Sequence, residues 1–210
     1  MKDLCLSFIN RILSSYTHEV RNYLAIIKET NGLMKDVMQI GKSRSVEAKQ
    51  FLGFIGCVEE QIARATAITD YLHRFAHRMD CGCVSVHINE LIEELIALMT
   101  RLAYRKRITF EKDLRGGLPS AVIKPILLHY LMFCIIDSRM SGLDRSGIIR
   151  VATSFSGGRL CIVVSSKGEV VQTGAAEACS NEEISGLAAQ LGAEVSKNSG
   201  ETVIKLPVTA

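Results

Sequence analysis

The residues most able to do chemistry stand in a short polar run, Tyr16 to Leu24. His18 and Glu19 are adjacent, and Asn22 follows His18 by one helical turn on the same face. A neutral imidazole can attack a phosphoryl group when its other ring nitrogen holds the proton and a carboxylate stabilises the developing charge. A polar side chain four residues on can orient the phosphate or a water molecule. The same residues also fit an ordinary surface histidine beside a solvated glutamate, so the motif alone decides nothing.

A second set of reactive side chains, His73, His77, Cys81 and Cys83, stands about sixty residues later. The two histidines share one helix face at a spacing of four, and a Cys-x-Cys follows, so all four are zinc-ligand types. The cysteine pair, however, lacks the usual spacing of structural zinc sites. The favoured interpretation is a hydrophilic helix end leading into an interdomain turn, without a metal.

Two long helical patterns must position His18. In the first, from about Leu4 to Ile40, apolar and small residues alternate at threes and fours, which is typical of a packed helix seam. Its members are Ile9, Leu13, Tyr16, Val20, Tyr23, Ile27, Thr30, Met34 and Val37. A polar turn at 41–45 precedes a second pattern of the same kind. Its members are Phe51, Ile55, Val58, Ile62, Ala65, Thr69, Leu72, Ala76 and Met79.

These patterns predict an antiparallel helical hairpin over residues 1–80. A hairpin alone leaves an apolar stripe uncovered, and a second copy of the chain would cover it as a dimeric four-helix bundle. His18 lies two residues past Tyr16 and therefore off the seam, facing water. The expected homodimer thus leaves His18 accessible to a bulky phosphodonor.

Residues 84–210 show a different organisation, predicted as an α+β domain with helices on one face of a mixed sheet. Asn89 is a plausible N-cap for a helix from Glu90, and residues 119–140 resemble a buried helix. A last helix is expected over residues 182–191. The predicted strands are 84–88, 108–111, 148–155, 159–165, 193–196 and 201–206, with Ser156-Gly157-Gly158 as a hairpin turn.

Composition and charge narrow the class of protein. The net charge of +3 is small and scattered, which argues against a nucleic-acid partner. A basic cluster at Arg101, Arg105, Lys106 and Arg107 is the expected solvated end of a helix. The sequence shows neither a signal peptide nor a membrane span. The seven cysteines have no small-scaffold spacing, so we expect reduced thiols in a cytoplasmic protein.

The run His18-Glu19-x-x-Asn22, followed by Leu24 and an apolar helix, resembles the H-box of sensor histidine kinases. The predicted hairpin is similar to the dimerisation and phosphotransfer domain of that family. The resemblance implies that His18 is the phosphoacceptor, that Glu19 assists as base and hydrogen-bond partner, and that Asn22 contributes to dephosphorylation. Many of these kinases have proline where this chain has Tyr23, so the usual helix kink is not expected here.

The second half resembles the ATP-binding domain of the same kinases, but its nucleotide motifs are degenerate. Phe133 and Asp137 stand at the two N-box asparagine positions, the second of which would bind Mg²⁺. Ser165 begins the segment that corresponds to D-x-G-x-G, and that segment contains no carboxylate. The lid is short, and Ser185-Gly186-Leu187 is a remnant of the glycine-rich loop. We therefore expect that ATP is not bound and that autokinase activity is absent.

The resemblance as a whole implies a bacterial histidine phosphotransferase of a two-component phosphorelay, working between receiver-domain aspartates through His18. No tightly bound cofactor is expected, because the partner receiver would supply Mg²⁺. Two alternatives stay open. One is a non-catalytic pseudokinase that binds a kinase or response regulator and regulates it, and the weaker one is an active histidine kinase with a divergent ATP site. An intact motif alone does not separate an enzyme from a binding module.

Overall fold

The computed structural model describes residues 2–40, 44–170, 179–198 and 200–208. The helices are α1 (Lys2–Ile40), α2 (Arg44–Asp80), α3 (Ile88–Arg105), α4 (Pro125–Ser141) and α5 (Asn181–Gln190). The strands are β1 (Val84–Val86), β2 (Ile108–Leu114), β3 (Ala121–Ile123), β4 (Leu143–Ser156), β5 (Arg159–Val170), β6 (Glu194–Lys197) and β7 (Glu201–Pro207). Of the predicted turn at 41–45, residues 41–43 lie outside the described residues, whereas Arg44 and Ser45 belong to α2.

Helices α1 and α2 form the predicted antiparallel hairpin. The Tyr16 hydroxyl lies 3.2 Å from Thr69 Oγ1, and Thr30 Oγ1 lies 3.7 Å from Cys57 Sγ. The residue numbers of these contacts rise along α1 while they fall along α2, as an antiparallel pair requires. Helix α1 continues without interruption through Tyr23.

The most deeply buried residues of the hairpin lie outside the predicted seam. Phe8, Ile12 and Phe75 are fully buried and belong to the same hydrophobic core as α3, α4 and the sheet. By contrast, the seam residues Ile55 and Ile62 are about half exposed in the single chain. Each helix therefore has two apolar faces, one toward the C-terminal domain and one that the single chain leaves open.

The C-terminal domain contains the predicted mixed sheet, with strand order β2-β4-β5-β7-β6. Among the strands that the structure describes in this sheet, β2 and β4 are parallel and the other neighbours are antiparallel. Burial alternates along the strands, so that Ile162 and Val164 of β5 face the helices while Lys205 of β7 is exposed on the other face. The architecture is thus α+β, a helical hairpin followed by a mixed sheet with helices on one face.

The predicted cap and start of α3 were wrong. The helix begins at Ile88, and His87 is its N-cap residue. Asn89 lies inside the first turn, where its side-chain amide donates to the carbonyl of Arg115 at 2.8 Å and its oxygen accepts from the Thr153 hydroxyl at 2.9 Å. Asn89 is therefore used for a tertiary contact with β4, which its local sequence does not reveal.

The predicted helix over 119–140 was too long at its start. Residues Ala121–Ile123 form β3, which pairs with β1 in a separate two-stranded sheet. Lys124 is extended, as expected for a residue before proline, and Pro125 occupies the first turn of α4, where its missing N–H costs nothing.

The expectation that all cysteines are thiols was wrong for one pair. Cys134 of α4 and Cys179, just before α5, form a disulfide with Cα atoms 5.5 Å apart. Their 45-residue separation gives no sequence signal, because only the packing of α5 against α4 brings them together. Within the described chain, Cys57, Cys81, Cys83 and Cys161 are free. No helix in the described part of the chain is long and apolar enough to cross a membrane.

Candidate functional site

His18 belongs to an exposed polar row on α1. Asn10, Ser14, His18 and Asn22 follow each other at intervals of four residues, and all four are exposed. Each step of four residues rises about 6 Å and turns about 40° around the helix, so neighbouring members of the row lie close together. The structure therefore brings His18 and Asn22 onto one accessible surface, and the row, here called the His18 row, continues toward the N-terminus of α1.

Glu19 points toward the C-terminal domain instead. Its side chain is only 15% exposed and lies 4.0 Å from the guanidinium of Arg101 in α3. The Tyr23 hydroxyl donates a hydrogen bond to the same carboxylate; burial, and then the negative charge of Glu19 and this bond, raise the pKa of Tyr23. Adjacent helix residues point about 100° apart. A role for Glu19 as partner of the His18 imidazole stays a prediction.

The C-terminal domain packs along α1 up to the level of His18. Phe8 stacks on Tyr130 and contacts Phe133, with ring centroids 5.3 and 4.7 Å away. Further along, the Ser15 hydroxyl donates to the carbonyl of Leu98 at 3.2 Å. These contacts place α4 beside the start of α1, whereas α3 reaches the turn that carries His18 through Ser15 and Glu19.

Asp137 is bound by an arginine from α1. The guanidinium of Arg11 donates to both carboxylate oxygens of Asp137, at 2.5 and 2.6 Å, and lies 5.0 Å from the centre of the Phe133 ring. The side chain of Asp137 is only 5% exposed. We call this pair the Arg11–Asp137 bridge. It joins the hairpin to α4, the helix that carries both predicted N-box positions.

The residues around Asp137 do not fit a Mg²⁺-nucleotide. Mg²⁺ needs oxygen ligands in octahedral geometry, but both oxygens of Asp137 are engaged by a cation. The other N-box position is Phe133, an aromatic side chain buried against Phe8 and Arg11. A metal ion at Asp137 would have to displace Arg11 from a part-buried contact, and Phe133 has no oxygen to offer in return.

Ser165 is not brought together with Phe133 and Asp137. The segment expected as a nucleotide-binding loop continues β5 as far as Val170, and Ser165 pairs with Arg150 on one side and Glu201 on the other. By strand alternation with the buried Val164, Ser165 faces away from the helices. The three degenerate positions therefore do not form one pocket.

The glycine-rich remnant lies within the helix that was predicted over residues 182–191. Ser185 and Gly186 lie inside α5, which begins with a capping box between Ser180 and Glu183. Of the segment expected as a short lid, residues 171–178 lie outside the described residues. The N-terminus of α5 is thus capped by its own side chains rather than open to a phosphate.

His73 and His77 lie exposed on α2 with their rings in edge-to-face contact, centroids 4.4 Å apart. The Cys81 thiol donates to the backbone carbonyl of His77, and Cys83 is exposed. Among the residues that the structure describes, no group of three or more histidine, cysteine or acidic side chains is arranged to hold a metal ion.

Sequence reasoning missed a buried ionic cluster beneath α2. Arg78 binds both oxygens of the buried Glu94 at 2.7 and 2.8 Å, and Arg74 lies 3.3 Å from the same carboxylate. His129 Nε2 is 3.1 Å from the carbonyl of Leu91 and 3.7 Å from Glu94. Burial lowers the pKa of His129 to about 4. The available signal was Glu94, an acidic residue within an apolar helical pattern, but the neighbouring sequence did not identify its partners.

Comparison with solved structures gives the fold of both halves. The Acinetobacter baumannii histidine kinase AdeS matches with a TM-score of 0.50 at 11% identity, over 92% of this chain and 98% of that chain. The Erythrobacter litoralis EL346 blue-light activated histidine kinase matches with a TM-score of 0.50 at 15% identity, over 80% and 64%. The nucleotide-free catalytic domain of histidine kinase ThkA matches with a TM-score of 0.53 at 11% identity, over 62% and 100%.

At such low identities these matches establish a histidine kinase-like architecture and nothing about activity. No protein-family model matches the chain, and no curated protein matches its sequence. Function must therefore be argued from the site itself.

Proposed function

We propose that the chain is a histidine phosphotransfer protein of a two-component phosphorelay. His18 accepts a phosphoryl group from the aspartyl phosphate of one receiver domain and passes it to the aspartate of another. The observation that carries this proposal is an exposed histidine on the hairpin of a histidine kinase-like fold in which Asp137, the position expected to bind Mg²⁺, is bound by Arg11.

The transfer is an in-line displacement at phosphorus. The unprotonated imidazole nitrogen of His18 forms the new P–N bond, the P–O bond to the donor aspartate breaks, and the aspartate leaves as a carboxylate. The other ring nitrogen keeps its proton throughout. Mg²⁺ bound by the receiver would neutralise phosphoryl charge, while Asn22 in the same exposed row is suited to orient the phosphate. The reverse sequence of bonds returns the phosphoryl group to an acceptor receiver.

Several features argue against a local ATP-dependent source of the phosphate. Arg11 holds both oxygens of Asp137, Phe133 supplies no ligand, and the side chain of Ser165 in β5 faces away from the helices. The active-kinase alternative needs these positions to act together on one nucleotide. Transfer of a phosphoryl group from a partner receiver does not need a nucleotide site in this chain. It requires that His18 be accessible.

A second candidate is a binding module that docks a kinase or response regulator without being phosphorylated. The orientation of Glu19 favours it, since this carboxylate contacts Arg101 and Tyr23. In that case the exposed His18 row would serve as a docking surface only. The two candidates differ in whether phosphate appears on His18.

The deciding experiment offers the protein a panel of phosphorylated receiver domains and, separately, labelled ATP. The wild type should accept phosphate from at least one receiver and none from ATP, and His18→Ala should abolish transfer. His73→Ala, at another exposed histidine, is the matched control and should transfer normally. Binding without labelling would support the docking module, and labelling from ATP would contradict the proposal.

We further propose that the active form is a homodimer joined through the hairpin. Leu13, Leu24 and Met38 of α1 are 42%, 57% and 68% exposed, and their spacings of 11 and 14 place them on one helix face. Leu52, Ile55 and Ile62 of α2 are similarly exposed. His18 lies about 140° around α1 from Leu13, so a partner packed on this stripe leaves His18 accessible.

A further inference from the structure

An open cleft lies between the N-terminal half of α1 and the end of α3. It encloses about 480 Å³ and is lined by Asn10, Arg11 and Ser14 from α1 and by Leu102 and Arg105 from α3, among others. This volume is within the roughly 300–1,000 Å³ of small binding sites, so the cleft admits a few side chains rather than a folded domain. We call it the α1–α3 cleft.

The cleft is continuous with the His18 row. Asn10 and Ser14 are both members of the row and lining residues of the cleft. Ser14 precedes His18 by one turn, about 6 Å along the helix axis, and Asn10 precedes it by about 12 Å. A partner that reaches His18 and extends toward the start of α1 therefore covers the cleft.

The two arginines of the cleft differ in how far their charges are compensated. Arg11 is neutralised by the buried carboxylate of Asp137. Arg105 is exposed in the last turn of α3, and no ion pair of the described residues involves it. Among the described residues that line it, the cleft thus presents the uncompensated positive charge of Arg105 beside the apolar side chain of Leu102.

We propose that the α1–α3 cleft is part of the receiver-binding surface, where Arg105 pairs with a carboxylate of the receiver. This inference rests on the proposed function. A stable interface buries about 800 Å² on each partner, equivalent to a disc of about 16 Å radius. A receiver centred on His18 therefore reaches beyond Asn10, and a side chain with an apolar stem and a carboxylate end suits Leu102 and Arg105.

The test measures receiver binding and phosphotransfer for Arg105→Ala, Arg105→Glu and Lys205→Glu in the full chain. Lys205 is an exposed lysine on the sheet face away from the helices, so Lys205→Glu makes the same change of charge remote from the cleft. Arg105→Glu should weaken receiver binding about ten-fold or more, mainly through slower association, and the loss should shrink as salt is raised. Arg105→Ala should show a smaller loss, and Lys205→Glu should stay within two-fold of the wild type.

The experiment distinguishes failure of the cleft proposal from failure of the proposed function. If the wild type binds and transfers while Arg105→Glu behaves like Lys205→Glu, the cleft is not part of the receiver surface, and the proposed function stands. A wild type that binds no receiver overturns both. Circular dichroism and thermal unfolding of each variant separate loss of contact from loss of fold; Arg105 is exposed, so its substitution should leave both unchanged.

Discussion

His129 is an ionisable side chain that the fold keeps neutral. It is 1% exposed in α4, its ring lies 5.4 Å from that of Phe75, and burial lowers its pKa to about 4. Glu94 is close, but its charge is already compensated by Arg78, whose own positive charge further opposes protonation of His129. The folded state therefore binds fewer protons at this site than the unfolded chain does between about pH 4 and 6.5.

This difference predicts a pH dependence of stability. The free energy of unfolding should be insensitive to His129 above about pH 6.5 and should fall as the pH is lowered from 6.5 to about 4, by at most about 3 kcal/mol. His129→Gln keeps a donor for the Leu91 carbonyl but does not titrate. Urea unfolding of both proteins at pH 7 and at pH 4.5 should show a smaller loss for the variant. If the free energy of unfolding fell equally with pH in the wild type and in His129→Gln, the neutral state of the buried His129 would be contradicted.

Sequence reasoning predicted the exposure of side chains that depends on local helix geometry. It did not predict contacts with residues that are distant in the chain. The exposure of His18 followed from its place beside Tyr16 in the helical pattern. The orientation of Glu19 toward Arg101 did not, because 82 residues separate them. The motif comparison predicted Asp137 as a degenerate N-box position, whereas its binding by Arg11, 126 residues away, could not be foreseen.

At the scale of elements, the Arg11–Asp137 bridge joins α1 to α4. Arg11→Met keeps much of the apolar stem but leaves Asp137 buried without its partner, which should lower the free energy of unfolding by about 2–3 kcal/mol. Chemical denaturation would measure the loss. The double variant Arg11→Met with Asp137→Leu should recover part of it, because no buried charge is left unpaired.

A matched control for the bridge is Arg150→Met. Arg150 pairs with Asp113 at 2.5 Å, but both side chains are more than half exposed. Exposed pairs contribute roughly 0–1 kcal/mol. Equal losses for Arg11→Met and Arg150→Met would mean that the bridge is no more important than a surface ion pair.

The sequence predicted the long helices and the large sheet but not the small two-stranded sheet. The hairpin helices, α5 and the strands of the large sheet followed from periodicity, which is strong over long or alternating segments. The short strand β3 was assigned to a helix because residues 119–140 are mostly apolar, and apolar runs do not distinguish a buried strand from a buried helix. Its pairing with β1, more than thirty residues earlier, is a tertiary effect.

At the scale of the whole molecule, the proposed homodimer predicts a solution mass of twice the chain mass of 23.1 kDa. Leu24→Asp places a charge in the exposed apolar stripe of α1 and should shift the protein to a monomer, since a buried unpaired carboxylate opposes association. Light scattering coupled to gel filtration would measure both masses.

Val122→Asp serves as the control for the dimer. Val122 is 48% exposed in β3, close to the 57% of Leu24, but belongs to the C-terminal domain. This variant should remain dimeric. A monomeric wild type, or a Leu24→Asp protein that stays dimeric, would show that the stripe is not the dimer interface.

The contact between α1 and α4 also sets an order of events during synthesis. Arg11 and Asp137 are 126 positions apart, so at about 5–20 residues per second the ribosome makes α4 roughly 6–25 s after α1. Phe8 and Ile12 cannot reach their final surroundings before then, although α1 can already pair with α2. The helix that carries His18 is thus translated well before the helix α4 that covers Phe8.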